Sequence, residues 1–172
     1  MNICHRVNRL EYIPHVYTKY DGIETDVMYN SDKQLVLCHD YDERDDPNNN
    51  TLQELADFGI PLRIVLDIKT RGITEGWMIA SDIIDVIRGS VHLWDLCSFN
   101  EMCVQRLLML NMGVYKIGLI SSSLSLSLFT HLDVKFVSLD YGIAGEDLLA
   151  VLDGLDIDVY IWGIKKKPDL QA

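Results

Sequence analysis

The sequence predicts an α/β fold in which a mostly parallel sheet is flanked by helices. Three observations carry that reading. Short apolar runs recur along the chain, stretches of helical periodicity separate them, and no break in composition divides the 172 residues into two units. A chain of this length is about one domain, residues 1–172, and can bury a sizeable core.

Taken in order, strands are expected near 2–5, 22–28, 34–39, 62–68, 91–97, 114–120, 135–140 and 158–163. A helix is expected over 51–58, where Thr51 precedes a periodic run and Glu54 follows three residues later, the pattern of a capping box. A longer helix over 74–88 carries Trp77, Ile79, Ala80, Ile83, Ile84 and Ile87 on one stripe and ends at Arg88-Gly89. Asn100 caps a helix reaching 111, with Met102, Cys103, Leu107, Leu108 and Leu110 on its apolar face, and 145–155 is the last clear helix. Residues 121–129 alternate serine with apolar residues at period two, which alone favours a strand; their place in the strand-helix rhythm favours a short helix. The 41–50 stretch is polar and turn-rich. It does not fit a calcium loop, because Asp45 stands where glycine is needed and Thr51 where glutamate is needed, so a solvated loop is expected. Residues 165–168 read as a basic surface turn.

Composition narrows the partners. A net charge of −11 opposes nucleic acid and anionic membranes, so no nucleic-acid partner is expected. No run approaches the roughly 18 consecutive apolar residues of a membrane span. The first residues lack the basic start and apolar stretch of a secretory signal. Cys4, Cys38, Cys97 and Cys103 form no CxxC pair and read as buried free thiols of a reducing compartment rather than as a zinc site. A cytoplasmic protein is the expectation.

The chemistry-bearing residues fall at the ends of the strand-like runs. Glu24 and Asp26 are two apart and share one face of a strand, and paired carboxylates suit a hard divalent cation such as Mg²⁺ or Ca²⁺. His39-Asp40 closes the next run, His5-Arg6 lies upstream, and Asp67-Ile-Lys69 ends another. Two histidines, three carboxylates, an arginine and a lysine form an inventory for metal-assisted chemistry at a phosphate. Asp40 either orients His39 or caps the loop that follows. His15, His92 and His131 lie outside this order and are read as structural, and Ser98 has no His-Asp arrangement of its own.

The ordered set His5-Arg6, Glu24-Thr-Asp26, His39-Asp40 and Asp67-Ile-Lys69 resembles the glycerophosphodiester phosphodiesterase family, within the phospholipase C-like phosphodiesterases. Ser98-Phe99 and Trp162, each at the end of an expected strand, also match family positions, so the resemblance covers nearly the whole chain. It implies a TIM-type (β/α) barrel with its chemistry at the C-terminal ends of the strands. It further implies one Mg²⁺ or Ca²⁺ ion held by Glu24, Asp26 and Asp67, and a small phosphodiester substrate. His5 and His39 would exchange protons, as suits an imidazole whose ordinary pKa is ~6.5. Arg6 and Lys69 would bind the phosphate, and Trp162 would either line the substrate pocket or belong to the core.

Four departures accompany the resemblance. Val7 stands where the family usually has glycine, and Asp67 stands where it commonly has glutamate; the sphingomyelinase D-like branch resembles this chain in using aspartate there. The span from Asp40 to Asp67 is too short for the usual inserted subdomain, and no strand follows Trp162. Residues 34–39 extend the second strand in the family, which leaves seven barrel strands. A complete barrel takes about 250 residues, with ~200 near the lower end. The expectation is therefore a shortened barrel without its final unit, open or distorted. Its unpaired edges would be covered by 165–172 or by a second copy in a homodimer. The alternative function is a catalytically weak relative acting as a binding or structural module; against it, all seven side chains remain chemically competent types.

Overall fold

The protein is described here from a computed structural model covering residues 1–123 and 131–163. Strand β1 is Ile3–Cys4, and a 3₁₀ turn at Leu10–Tyr12 runs into α1, Ile13–Val16. Strands β2 (Gly22–Tyr29) and β3 (Leu35–Leu37) precede α2 (Leu52–Ala56) and β4 (Arg63–Ile68). Then follow α3 (Ile73–Ile87), β5 (Leu93–Ser98), α4 (Glu101–Leu110), β6 (Lys116–Ser121), β7 (Phe136–Asp140), α5 (Glu146–Gly154) and β8 (Asp158–Trp162).

Seven strands lie side by side in the order β1-β2-β4-β5-β6-β7-β8, each parallel to its neighbour. The sheet curls as a shortened TIM-type barrel. Among the described residues no pairing joins β1 to β8, so the barrel is open between them, as expected from the sequence. The eighth strand, β3, lies off this path and pairs antiparallel with the end of β2 through Val27↔Leu37, Met28↔Val36 and Tyr29↔Leu35.

Strands buried on both faces read as near-continuous apolar runs, which is why they were recognisable. One face of β4, Ile64, Leu66 and Ile68, packs with Ile79, Ile83 and Ile87 of α3 in the main core. The opposite face turns into the barrel, where Val65, Cys97, Ile120 and Phe136 form a second, smaller core joined by Ile3, Tyr160 and Trp162. Gly118 leaves room for the Phe136 ring; a Cβ there would lie 2.5 Å from two of its carbons. Arg63 Nη1 and Tyr160 Oη donate to the buried Asp95 Oδ2 at 2.8 and 2.7 Å, a polar network low in the barrel.

The helices start and stop where local chemistry directs. Thr51 and Glu54 form the capping box at α2, and the Asn100 side chain accepts from the backbone N–H groups of Met102 and Cys103 at α4. Gly89, at φ 84°, follows α3 and lets the chain turn. Several expectations change in detail. The 3₁₀ turn and α1 were not anticipated, although Ile13 is fully buried. Trp77 is only partly buried, with the Arg106 guanidinium 4.8 Å from its ring centroid, and Val104 is buried where Met102, Leu108 and Leu110 are only partly so. The reading of 121–129 falls mostly, and that of 165–168 wholly, outside the described residues. Among the described residues no helix is long and apolar enough to cross a membrane, and the four cysteines are unpaired.

Candidate active site

Parallel pairing of β2 with β4 sets Asp26 opposite Asp67, and Glu24 lies two residues earlier on the same inward face. One ligand atom from each of Glu24, Asp26 and Asp67 falls within 4.8 Å of the others. Asp26 is fully buried and Asp67 nearly so. The cation beside them is Lys69, whose Nζ lies 2.5 Å from Asp67 Oδ2 and 3.1 Å from Asp26 Oδ1. The contact to Asp26 Oδ1 is an ion pair, and Asp67 Oδ1 is buried with no hydrogen-bond partner among the described residues.

One ammonium does not balance three converging carboxylates. Burial and the Asp26 charge push Glu24 up to about 8, against the hydrogen bond from the Arg6 backbone N–H and the charge of Lys69. Burial pushes Asp67 up to about 6 even though Lys69 opposes the rise. Burial also disfavours the charge on Lys69, but Asp67 and Asp26 outweigh it and raise its pKa. Oxygen donors, surplus negative charge and an orphaned buried oxygen are what a hard divalent cation requires. The residues fit such an ion.

The segment after β1 is tied to this cluster. Arg6 takes the left-handed backbone region at φ 58°, its N–H donates to Glu24 Oε2 at 2.7 Å, and the Val7 N–H donates to the Glu24 carbonyl at 2.9 Å. The left-handed residue is thus Arg6, and Val7 is free to bury its side chain in the main core. The hairpin from β2 to β3 then returns the chain, with the Cys38 N–H donating to the Asp26 carbonyl at 3.2 Å, and brings His39 to the same rim.

Arg6 Nη2 is 2.7 Å from His39 Nε2, and His39 Nδ1 is 2.8 Å from Asp40 Oδ1. A guanidinium can only donate, so Nε2 accepts and Nδ1 carries the proton given to Asp40. The Asp40 carboxylate therefore orients the imidazole. His5 Nε2 lies 3.5 Å from Glu24 Oε2, and partial burial together with the neighbouring Arg6 lowers its pKa.

These groups share a cavity of about 750 Å³ with the mouth of the barrel. His5, Arg6, Glu24, Asp26, His39, Asp67 and Lys69 line its polar side, and Phe99, Tyr160 and Trp162 are among those facing them. Phe99 and Trp162 meet edge to face with ring centroids 6.2 Å apart. Trp162 thus belongs both to the pocket wall and to the inner core. The structure brings together all eight residues selected from the sequence. His92 is a core histidine, accepting from the Leu62 N–H at 3.3 Å and donating to the Leu55 carbonyl at 2.8 Å, while His15 and His131 are exposed away from the cavity. Missed was Asn8, whose carboxamide binds Asp26 and which belongs to no recognised motif.

The fold is an open (β/α)-barrel with these groups gathered at its mouth. The chain matches no protein-family model and no curated protein by sequence. Solved structures similar to it include a glycerophosphodiester phosphodiesterase from Parabacteroides distasonis, at 18% identity and a TM-score of 0.78 over 95% of this chain and 83% of that one. A phosphodiesterase from Oleispira antarctica, solved with the product sn-glycerol-3-phosphate, is similar at 14% identity and a TM-score of 0.77, covering 95% and 84%. A calcium-dependent phosphoinositol-specific phospholipase C from a Pseudomonas species is more distant, at 12% identity and a TM-score of 0.56 over 94% and 88%. At these identities the likeness is one of fold.

Proposed function

We propose that this protein is a metal-dependent phosphodiesterase that hydrolyses a glycerophosphodiester or related small phosphodiester. The observation that carries the reading is the convergence of Glu24, Asp26 and Asp67 in one cavity with two histidines and two cations. Glu24, Asp26 and Asp67 would hold the divalent ion, Mg²⁺ or Ca²⁺, and its contribution there would be Lewis-acid charge for the phosphoryl transfer.

The chain's own residues do the rest. Arg6 and Lys69 offset charge on the phosphoryl oxygens, a contribution that grows as substrate excludes water from the cavity. His39 presents the lone pair of Nε2 toward Arg6 at the rim, held in that tautomer by Asp40, and His5 Nε2 lies beside Glu24 Oε2. One imidazole takes the proton of the attacking hydroxyl as its oxygen bonds to phosphorus. The other gives a proton to the departing alkoxide as the ester bond breaks. Water as nucleophile gives a phosphomonoester and an alcohol; a hydroxyl of the substrate gives a cyclic phosphodiester and an alcohol. Trp162 and Phe99 form the wall against which the substrate's alcohol group packs.

Purified protein should release glycerol 3-phosphate or a cyclic glycerophosphate from glycerophosphocholine with Mg²⁺ or Ca²⁺ added, and stop in a chelator. Turnover unchanged by chelation would remove the metal from the mechanism. No turnover of any glycerophosphodiester with either ion would sink the proposed activity.

A further inference from the structure

Asp26 is fully buried, and a buried carboxylate must have its oxygens engaged. One neighbour does most of this. Asn8 Nδ2 donates to Asp26 Oδ2 at 3.0 Å, while Asn8 Oδ1 accepts from the Asp26 backbone N–H at 2.9 Å and from Thr25 Oγ1 at 2.8 Å. The backbone N–H can only donate, so the carboxamide cannot be turned over: its oxygen faces β2 and its nitrogen faces the carboxylate. Oδ2 is thereby occupied. Oδ1 is left facing Lys69 Nζ at 3.1 Å, and a carboxylate oxygen of Asp26 lies within 4.8 Å of one from each of Glu24 and Asp67.

We propose that Asn8 is a positioning residue for the cation site, clamping Asp26 so that one carboxylate oxygen is held back and the other is offered to the ion. The proposal rests on the metal reading given above. A bound cation needs each ligand oxygen fixed before it arrives, because a side chain that must first be ordered loses affinity. Asparagine is the residue type suited to the task, since it alone among short side chains offers a donor to the carboxylate and an acceptor to the backbone from one planar group. Aspartate in its place would set carboxylate against carboxylate, and alanine would leave Asp26 Oδ2 buried without its donor.

The test uses Tb³⁺, an oxygen-seeking stand-in for Ca²⁺, and compares the wild-type protein with Asn8→Ala and the isosteric Asn8→Asp. Affinity is read from luminescence, and the number of inner-sphere waters from lifetimes in H₂O and D₂O; circular dichroism monitors folding. The wild type should bind Tb³⁺ and be displaced by Ca²⁺. Both variants should bind about tenfold or more weakly, with additional inner-sphere water where Asp26 has been released. Unchanged affinity and hydration in a folded variant would overturn the assignment of Asn8 and leave the cation site standing. Absence of binding by the wild type to Tb³⁺, Ca²⁺ and Mg²⁺ alike would overturn the site itself and Asn8's role with it. If neither variant folds, Asn8 is a folding residue and the proposal fails.

Discussion

Replacing Asp67 with asparagine should make the metal-free protein more stable at neutral pH and less able to bind a metal. Asp67 is nearly buried, and its pKa rises from the ordinary 3.8 to about 6. The folded state therefore keeps a proton that the unfolded chain has already lost. Stability contributed by this group is fully present below the unfolded pKa, falls as pH rises from about 4 to about 6, and is flat above that. At ~1.4 kcal/mol for every tenfold change in proton affinity, this rise corresponds to on the order of 3 kcal/mol of strain in the ionised form. Lys69 already moderates that figure, because its attraction for the Asp67 carboxylate opposes the rise. Asparagine resembles the protonated acid and escapes the strain. Urea unfolding in a chelator at pH 4, 5.5 and 7.5 reads the effect directly. The wild type should lose stability across this range, and Asp67→Asn should be the more stable protein at pH 7.5 by up to about 3 kcal/mol, with a flatter pH profile. Added Ca²⁺ should then stabilise the wild type and act much less on the variant, reversing or narrowing the gap. A variant that is less stable than the wild type in chelator at pH 7.5, or equally stabilised by Ca²⁺, would refute the account of Asp67 as a strained ligand.

Two further outcomes follow from the geometry. His5→Ala and His39→Ala should each lower turnover of a glycerophosphodiester by about 10²-fold or more while leaving the far-ultraviolet circular dichroism and melting transition near the wild type; near-normal rates in both variants would refute the acid-base assignment. Gly118→Ala should cost about 1–3 kcal/mol by driving a methyl group into the Phe136 ring, and Gly118→Ala with Phe136→Leu should recover part of the loss in urea unfolding.

Much of this architecture was legible because the central barrel strands β2, β4, β5 and β6 are buried on both faces. The main core claims alternate residues of β4 and the barrel interior claims the others, so the strand appears in the sequence as an unbroken apolar run ending in Asp67. The period-two placement of Glu24 and Asp26 likewise survives folding without any tertiary information. What the sequence did not carry was mutual placement across the chain. His39 reaches the rim because β3 runs antiparallel to β2, a reversal that its short apolar run does not encode. The helix at Ile13–Val16 is too short to show a periodic stripe, and Pro14 sits in its first turn, a position proline tolerates but that reads as a break.

One departure from the expected family pattern is accounted for by local geometry. Val7 in place of glycine raised the question of whether the first loop could follow its usual path. The left-handed turn is taken by Arg6 instead, which aims its backbone N–H at Glu24 and its guanidinium at His39. That leaves residue 7 free to be apolar and buried, and places residue 8 against β2. A single backbone choice at Arg6 thus links the carboxylate cluster, the histidine at the rim and the carboxamide behind Asp26. Such a link has no sequence signature, because positive φ at a non-glycine residue is set by the contacts that surround it rather than by the residue's own preference. The individual side chains could be selected from the sequence by type and order. Which of their atoms are satisfied, and which are left without a partner among the described residues, could come only from the folded chain.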